Sequence, residues 1–214
     1  MSTITNLYWI EIYQPYLPYG RLKVREARTS FIVSLAEAKE HLRIDSSFTA
    51  DDTYITALTK IAQNIVEKET GLYLSSIALE YTSDGFLPIL DLGVNGHGVT
   101  SVKYYDLTNV QQTLGNSYDK SNLGYLESNV LLYPNTGTDW PQTFDRPDSV
   151  EVKFSGGINE TYQIPEGLKE AIYLIIGRYY EVRQDVLSGT VVYQVPLGAQ
   201  HLINQYKKAV VWLT

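Results

Sequence analysis

The stretch from Ser34 to Gly71 constrains the fold more than any other, because both of its helices carry their own start and stop signals. Ser34 with Glu37 three positions later is the pattern of a capping box, in which hydroxyl and carboxylate each satisfy a backbone N–H at the helix start. Leu35, Ala38 and Leu42 then fall at offsets 0, 3 and 7, one stripe of a 3.6-residue helix. A polar, acidic loop over Asp45–Phe48 follows. The second helix opens near Thr49 with Asp51 and Asp52 in its first turn, where negative charge complements the exposed N–H groups. Its apolar residues Tyr54, Ile55, Leu58, Ile61, Ala62, Ile65 and Val66 sit at offsets 0, 1, 4, 7, 8, 11 and 12. Gly71 closes it, since glycine adopts the left-handed conformation of a helix stop without steric cost.

Around this pair the chain changes character twice. Residues 1–33 hold an aromatic, β-branched run, Tyr8 to Tyr13, followed by Pro15, Pro18 and Gly20, which reads as an extended arm or edge strand. From residue 77 to 160, short β-prone runs recur between turn formers: Ile77–Thr82, Val99–Tyr105, Val130–Tyr133 and Val150–Phe154. The polar section Thr108–Arg146 between them is expected to carry hairpins. Helix returns at Pro165, a residue suited to the first helical position, with Leu168, Ala171, Ile172, Ile175, Ile176 and Tyr179 on one stripe. Gly177 within it fits either close approach by the second helix or exposure to solvent. A last helix follows Pro196 and Gly198, with Leu202, Ile203, Tyr206, Ala209 and Val210 as its apolar positions. The expected fold is α+β. An antiparallel helical core (helices near 34–43, 50–70, 165–185 and 199–212) occupies 34–76 and 161–214, a β-rich subdomain is inserted at 77–160, and the arm spans 1–33.

Composition excludes several classes of function. With 44% hydrophobic and 19% charged residues in 214, the chain can bury a core. A formal charge of −7 argues against gripping phosphates, which runs on Lys and Arg. There are no cysteines, so disulfides, thiolate metal sites and cysteine nucleophiles are absent. No basic segment followed by an apolar core opens the chain, so no secretory signal is expected, and the sequon Asn159-Glu160-Thr161 is read as accidental. No run approaches the roughly 18 apolar residues that cross a bilayer.

No residue supports an enzyme. His41, His97 and His201 lie in three segments without metal-ligand spacing, and Asp51-Asp52 has no calcium-loop pattern. Gly93, Gly96 and Gly98 precede a strand, whereas a phosphate loop leads into a helix. No nucleophile elbow occurs, and neither a metal nor a cofactor is expected. The 18 tyrosines suit a protein that works by contact, and equally a β-rich core that simply uses Tyr. A glycan-binding module is the rival class, because Tyr104, Tyr105, Tyr118, Tyr125, Tyr133 and Trp140 could stack on sugar rings; core and interface packing is the plainer reading of the same residues.

The string Val33-Ser34-Leu35-Ala36-Glu37-Ala38-Lys39-Glu40-His41-Leu42-Arg43-Ile44-Asp45, then Asp51-Asp52 and Glu67-Lys68-Glu69-Thr70-Gly71, resembles the head–tail connector (adaptor) family of tailed bacteriophages. The longer members of that family carry a β insertion. The pieces Val99–Tyr105, Val150–Gly157, Ile164–Ile172, Tyr179–Arg183 and Val195–Lys207 follow in the same order, with Lys207 where the family usually has arginine. The arm at 1–32 has no counterpart. The resemblance implies a non-enzymatic virion protein at the head–tail junction, assembled in the host cytoplasm with no membrane partner. It would form a ring, usually of twelve copies, beneath the portal protein, and extend the channel through which DNA passes to the tail or to a head-closure or nozzle protein. It also implies portal contact by the C-terminal segment, here Leu202, Ile203, Tyr206, Lys207, Trp212 and Leu213. Tyr8, Trp9, Tyr13, Tyr180 and Arg183 are the expected contacts between subunits. A tail-completion or head-closure protein is the nearest alternative within virion structure.

Overall fold

The computed structural model describes residues 20–26, 28, 30–123, 125, 128–157, 164–182 and 195–207. It is an α+β structure with four helices and two antiparallel sheets among those residues. The chain divides into two compact units. One is helical and comprises 29–74 with 163–209; the other is β-rich and holds 75–162 with the segments 1–28 and 210–214.

In the helical unit, α1 spans Leu35–His41, α2 Asp52–Thr70, α3 Glu166–Glu181 and α4 Leu197–Asn204. The Ser34–Glu37 capping box forms in full: Ser34 Oγ accepts from Glu37 N–H at 3.2 Å, and Glu37 Oε2 accepts from Ser34 N–H at 2.8 Å. Gly71 caps α2 at φ +72°, donating its N–H to Glu67 O. The start of α2 falls at Asp51, later than the sequence suggests, because Thr49 closes a preceding turn by accepting from Asp52 N–H. Pro165 stands one position outside α3, in extended conformation, and its carbonyl takes the N–H groups of Leu168 and Lys169. Ile55, Leu58, Ala62 and Val66 of α2 are buried, as are Leu168, Ala171, Ile172, Ile175 and Ile176 of α3 and Ala199 and Ile203 of α4. The last helix is shorter than its periodicity predicts. Gln205 and Tyr206 donate to Leu202 O and Ile203 O, tightening the last turn into three-residue bonds that end it. Residues 208–214 lie outside the described set.

In the β unit, a five-stranded sheet has the order β1-β2-β8-β4-β5, and a three-stranded sheet the order β3-β7-β6. The strands are β1 Gly20–Val24, β2 Ile77–Ser83, β3 Leu90–Asp91, β4 Gly96–Tyr105, β5 Gln111–Leu114, β6 Tyr118–Ser121, β7 Leu131–Pro134 and β8 Val150–Gly156. Register aligns an apolar row straight across the larger sheet: Leu22, Tyr81, Val152, Val102 and Leu114. The neighbouring row, Lys23, Glu80 and Lys153, points to the opposite face, as the period of two requires. Glu80 there is 2.5 Å from Lys23 Nζ and 3.9 Å from Lys153 Nζ, which compensates a carboxylate that is nearly buried. Gly157, just past β8, sits at φ +80°, and a Cβ there would lie 2.2 Å from Ser75 O, so both conformation and space demand glycine.

Candidate assembly surfaces

Most of the groups weighed for chemistry make structural contacts in this chain. Among the described residues no set of three or more His, Asp or Glu is placed to hold a metal. His41 stacks on Tyr173 at 4.9 Å, His97 Nδ1 lies 3.2 Å from Gly157 O, and His201 is exposed on α4. Asp51 accepts the Tyr180 hydroxyl, and Asp52 accepts from Lys39. Gly96 and Gly98 belong to strand β4, so no helix N-terminus follows them. No described helix is long and apolar enough to cross a membrane.

Lys39 is the buried charge that sequence reading missed. Its three ammonium hydrogens reach Ser46 O at 3.1 Å, Phe48 O at 2.6 Å and Asp52 Oδ1 at 2.8 Å, which cinches the α1–α2 loop. The signal was available: Lys39 stands four positions after Leu35, on the buried stripe of α1. An open groove of about 610 Å³ runs beside it, lined by Leu35, Ala36, Glu40 and Ile44. A second tie joins α1 to α3, where Glu37 Oε1 meets Lys169 Nζ at 2.6 Å. Lys169, and then the Ser34 N–H, hold the Glu37 carboxyl at about 2.

Helices α2 and α3 run antiparallel. Tyr54, in the first turn of α2, donates to Tyr179 O, and Tyr180 near the end of α3 donates to Asp51. At the other end, Lys207 pairs with Glu69 of α2 at 2.8 Å, while the neighbouring Tyr206 ring covers Gly167 of α3. The C-terminal residues singled out from the sequence therefore divide. Ile203 is fully buried, Leu202 and Tyr206 are half-buried, and Lys207 is exposed but paired. Trp212 and Leu213 lie outside the described residues, as do Tyr8, Trp9, Tyr13 and Arg183. Tyr180 is half-buried against Tyr54, their ring centroids 6.2 Å apart.

Among the described residues, α2 and α3 each carry exposed side chains along one side. On α2 the exposed residues are Thr53, Ala57, Lys60, Ile61, Asn64 and Lys68, a continuous face with two lysines, no acid, and Ile61 at 46% exposure near its middle. On α3 the exposed residues are Glu166, Glu170 and Glu181. Between them lies half-exposed Gly177, where a Cβ would meet nothing nearer than His41 Nε2 at 3.7 Å. The near neighbour there is His41 of α1, at ordinary contact distance, and no atom of α2 comes within 4 Å.

On the β unit, the β4–β5 turn is tightly built. Asp106 Oδ1 accepts from Thr108 N, Thr108 Oγ1 and Val110 N, and Oδ2 accepts from Gln112 Nε2. These bonds, the Thr108 hydroxyl foremost, hold Asp106 at about 2. Arg146 stacks 3.9 Å over the Tyr105 ring and donates to Asn109 Oδ1, so the turn presents Leu107 and Val110 from a fixed frame. The aromatic residues considered for sugar stacking are partly committed elsewhere: Trp140 stacks on Phe86 at 4.5 Å, Phe86 tilts onto Tyr104, and Arg146 covers one face of Tyr105.

No family model matches the chain, and no curated protein matches it. Solved structures do. A chain in the virion of a native gene transfer agent particle superposes with TM-score 0.69 at 19% identity, covering 90% of this chain and 98% of its own. A chain in the neck of an empty gene transfer agent particle, computed with C6 symmetry, gives 0.68 at 20% identity over 91% and 98%. One in the neck of the native particle, computed with C12 symmetry, gives 0.65 at 18% identity over 91% and 98%. They share one fold. The likeness takes in nearly the whole of each chain, so helical unit and β unit both belong to the shared architecture.

Proposed function

We propose that this protein is a structural subunit of the neck of a phage-like particle, a head–tail connector that forms a ring beneath the portal and lengthens the DNA exit channel. The observation that carries the reading is the fold match to neck chains over about nine-tenths of this chain and 98% of theirs. The C12 symmetry of one of those necks supports twelve copies. Two further observations agree with it. Glu37, Asp51, Asp52 and Asp106 are engaged in a cap, clasps and a turn, which suits a protein that acts through its surfaces. The net charge of −7 suits a channel wall that repels phosphate and lets DNA pass without binding.

Within this reading the portal contact belongs to the chain beyond Lys207, with Trp212 and Leu213 as its apolar anchors. Ile203 acts indirectly, by seating α4 in the helical core. The test is to mix the purified chain with portal rings and image the product. The expected result is an added ring on one face of the portal. A chain that leaves portal rings bare, yet binds an isolated tail or head-closure assembly, would move the assignment to a tail-completion or head-closure protein.

A further inference from the structure

We infer that the outer edge of β5 takes up a strand from a second copy of this chain, the arm residues Tyr8–Tyr13, so that the five-stranded sheet of one subunit is extended by the next. The inference rests on the ring reading above only for the neighbour that supplies the arm.

The two edges of that sheet differ. β1 carries Arg21 and Lys23, the charge that guards an edge against stray pairing. β5 has no such guard: the twelve residues Leu107–Tyr118 contain neither a charged residue nor a proline. Among the described residues β5 pairs only with β4, so alternate N–H and C=O groups of Gln111–Leu114 face outward. The apolar row Leu22, Tyr81, Val152, Val102 and Leu114 runs out at this edge, where Leu114 is still half-buried. On the opposite face Lys103, across from Thr113, makes no ion pair among the described residues, while Glu151 on its other side is held by Lys153 at 2.9 Å. The edge therefore lacks an apolar neighbour on one face and an acid on the other.

The arm's sequence supplies both. Tyr8-Trp9-Ile10-Glu11-Ile12-Tyr13 is aromatic and β-branched, and Glu11 is the single charged side chain before Arg21. Antiparallel to β5 with Glu11 opposite Thr113, it sets Ile10 opposite Leu114 and Ile12 opposite Gln112, on the face of the apolar row. Glu11 then falls on the Lys103 face, where the two long side chains meet over Thr113. A copy's own arm does not reach this place. Gly20, where the arm joins β1, stands level with Gln112 through Ser83, Val150 and Tyr104. Four strand spacings cross the sheet and a fifth reaches the added strand, about 24 Å at ~4.8 Å each. The seven steps from Tyr13 to Gly20 span at most ~25 Å, and the straight line runs through the sheet itself. Any path over a face is longer, so the strand comes from another copy. Each copy gives a strand to one neighbour and takes one from the other, the condition for a heterologous ring.

The absence of cysteine makes the pairing directly testable. The same register sets Tyr13 opposite Gln111, which is exposed. A Tyr13→Cys, Gln111→Cys double variant, with Glu11 and Lys103 left in place, is assembled on portal rings and treated with a short bis-maleimide. The expected result is a ladder of covalent multimers on a denaturing gel, ending at the full ring. A mixture of the two single variants should stop at dimers. Adding Glu11→Lys should lower the yield of the ladder about two- to fivefold, and Lys103→Glu on top of it should restore the yield. Self-linking by Gln111→Cys alone would show two β5 edges paired with each other and overturn the assignment. A cross-link found by mass spectrometry only within one chain would put the arm on its own sheet and overturn it as well. Rings seen by electron microscopy without a ladder would overturn the strand exchange and leave the ring reading standing. Portal rings without any added ring, and no ladder, would remove both.

Discussion

The two units hold their shape by different means. In the helical unit each helix carries its own local fastenings, the Ser34–Glu37 box, the Gly71 cap and the Lys39 clasp over the loop it borders, with long-range ties such as Glu37–Lys169 added between helices. In the β unit they are non-local, since β1 joins β2 and β2 joins β8 across long separations, and Glu80 finds its lysines only through register. Damage to the first should spread along a helix. Damage to the second should loosen a sheet while its strands stay β-prone.

The strongest break in that comparison comes from two truncations. Removing residues 200–214 deletes Ile203, which is fully buried, together with the Lys207–Glu69 pair. Loss of a buried isoleucine alone costs about 2–5 kcal/mol, so the helical unit should melt markedly earlier by circular dichroism at 222 nm. Removing only residues 208–214 should leave that melt unchanged while abolishing capture by portal rings. Equal damage from both cuts would show that the final residues belong to the core. In the β unit, Gly157→Ala forces a Cβ toward Ser75 O at positive φ and should cost about 1–3 kcal/mol, visible as faster amide exchange in β8 and at Ser75. A smaller effect tests local capping: Ser34→Ala should lower stability by about 1 kcal/mol, with protection lost first in α1.

The same contrast explains what could be read without coordinates. Cap and stop signals are printed in neighbouring residues, so α1, α2 and the stripe of α3 were legible. The strand runs were also visible, but not their order, because Leu22, Tyr81, Val152 and Val102 become one row only when the chain has folded. β1 lies in the stretch read as an extended arm or edge strand and forms the edge of the larger sheet, where Arg21 and Lys23 supply the charge that commonly guards an edge against stray pairing. The early end of α4 lies in the three-residue bonds of Gln205 and Tyr206 to Leu202 and Ile203, which no periodicity encodes. Of the assembly surface, the Thr53–Lys68 stripe follows from helical spacing. What spacing could not give is that His41 of α1 stacks on Tyr173 in the middle of the α3 stripe.

The finest distinction concerns the Glu37–Lys169 tie, where charge and capping can be separated. Glu37 serves twice, accepting from Lys169 Nζ at 2.6 Å and from Ser34 N–H at 2.8 Å. Its carboxyl titrates at about 2 in the folded chain against an ordinary 4.5. A depressed carboxylate pKa means the unfolded chain binds the proton more readily, so the contribution is complete above about pH 4.5 and fades as pH falls toward 2. The unscreened shift overstates its size, because the two side chains are 38% and 27% exposed, and about 1 kcal/mol is the reasonable scale. Glu37→Gln keeps a side-chain acceptor suited to the capping box and removes only the charge. Its melting temperature should therefore fall below that of the parent by a constant few degrees between pH 5 and 8, with the gap closing by about pH 2–3. A gap that persists unchanged at low pH would assign the stabilisation to hydrogen bonding alone, and the ion pair would drop out of the account of how α1 is held to α3.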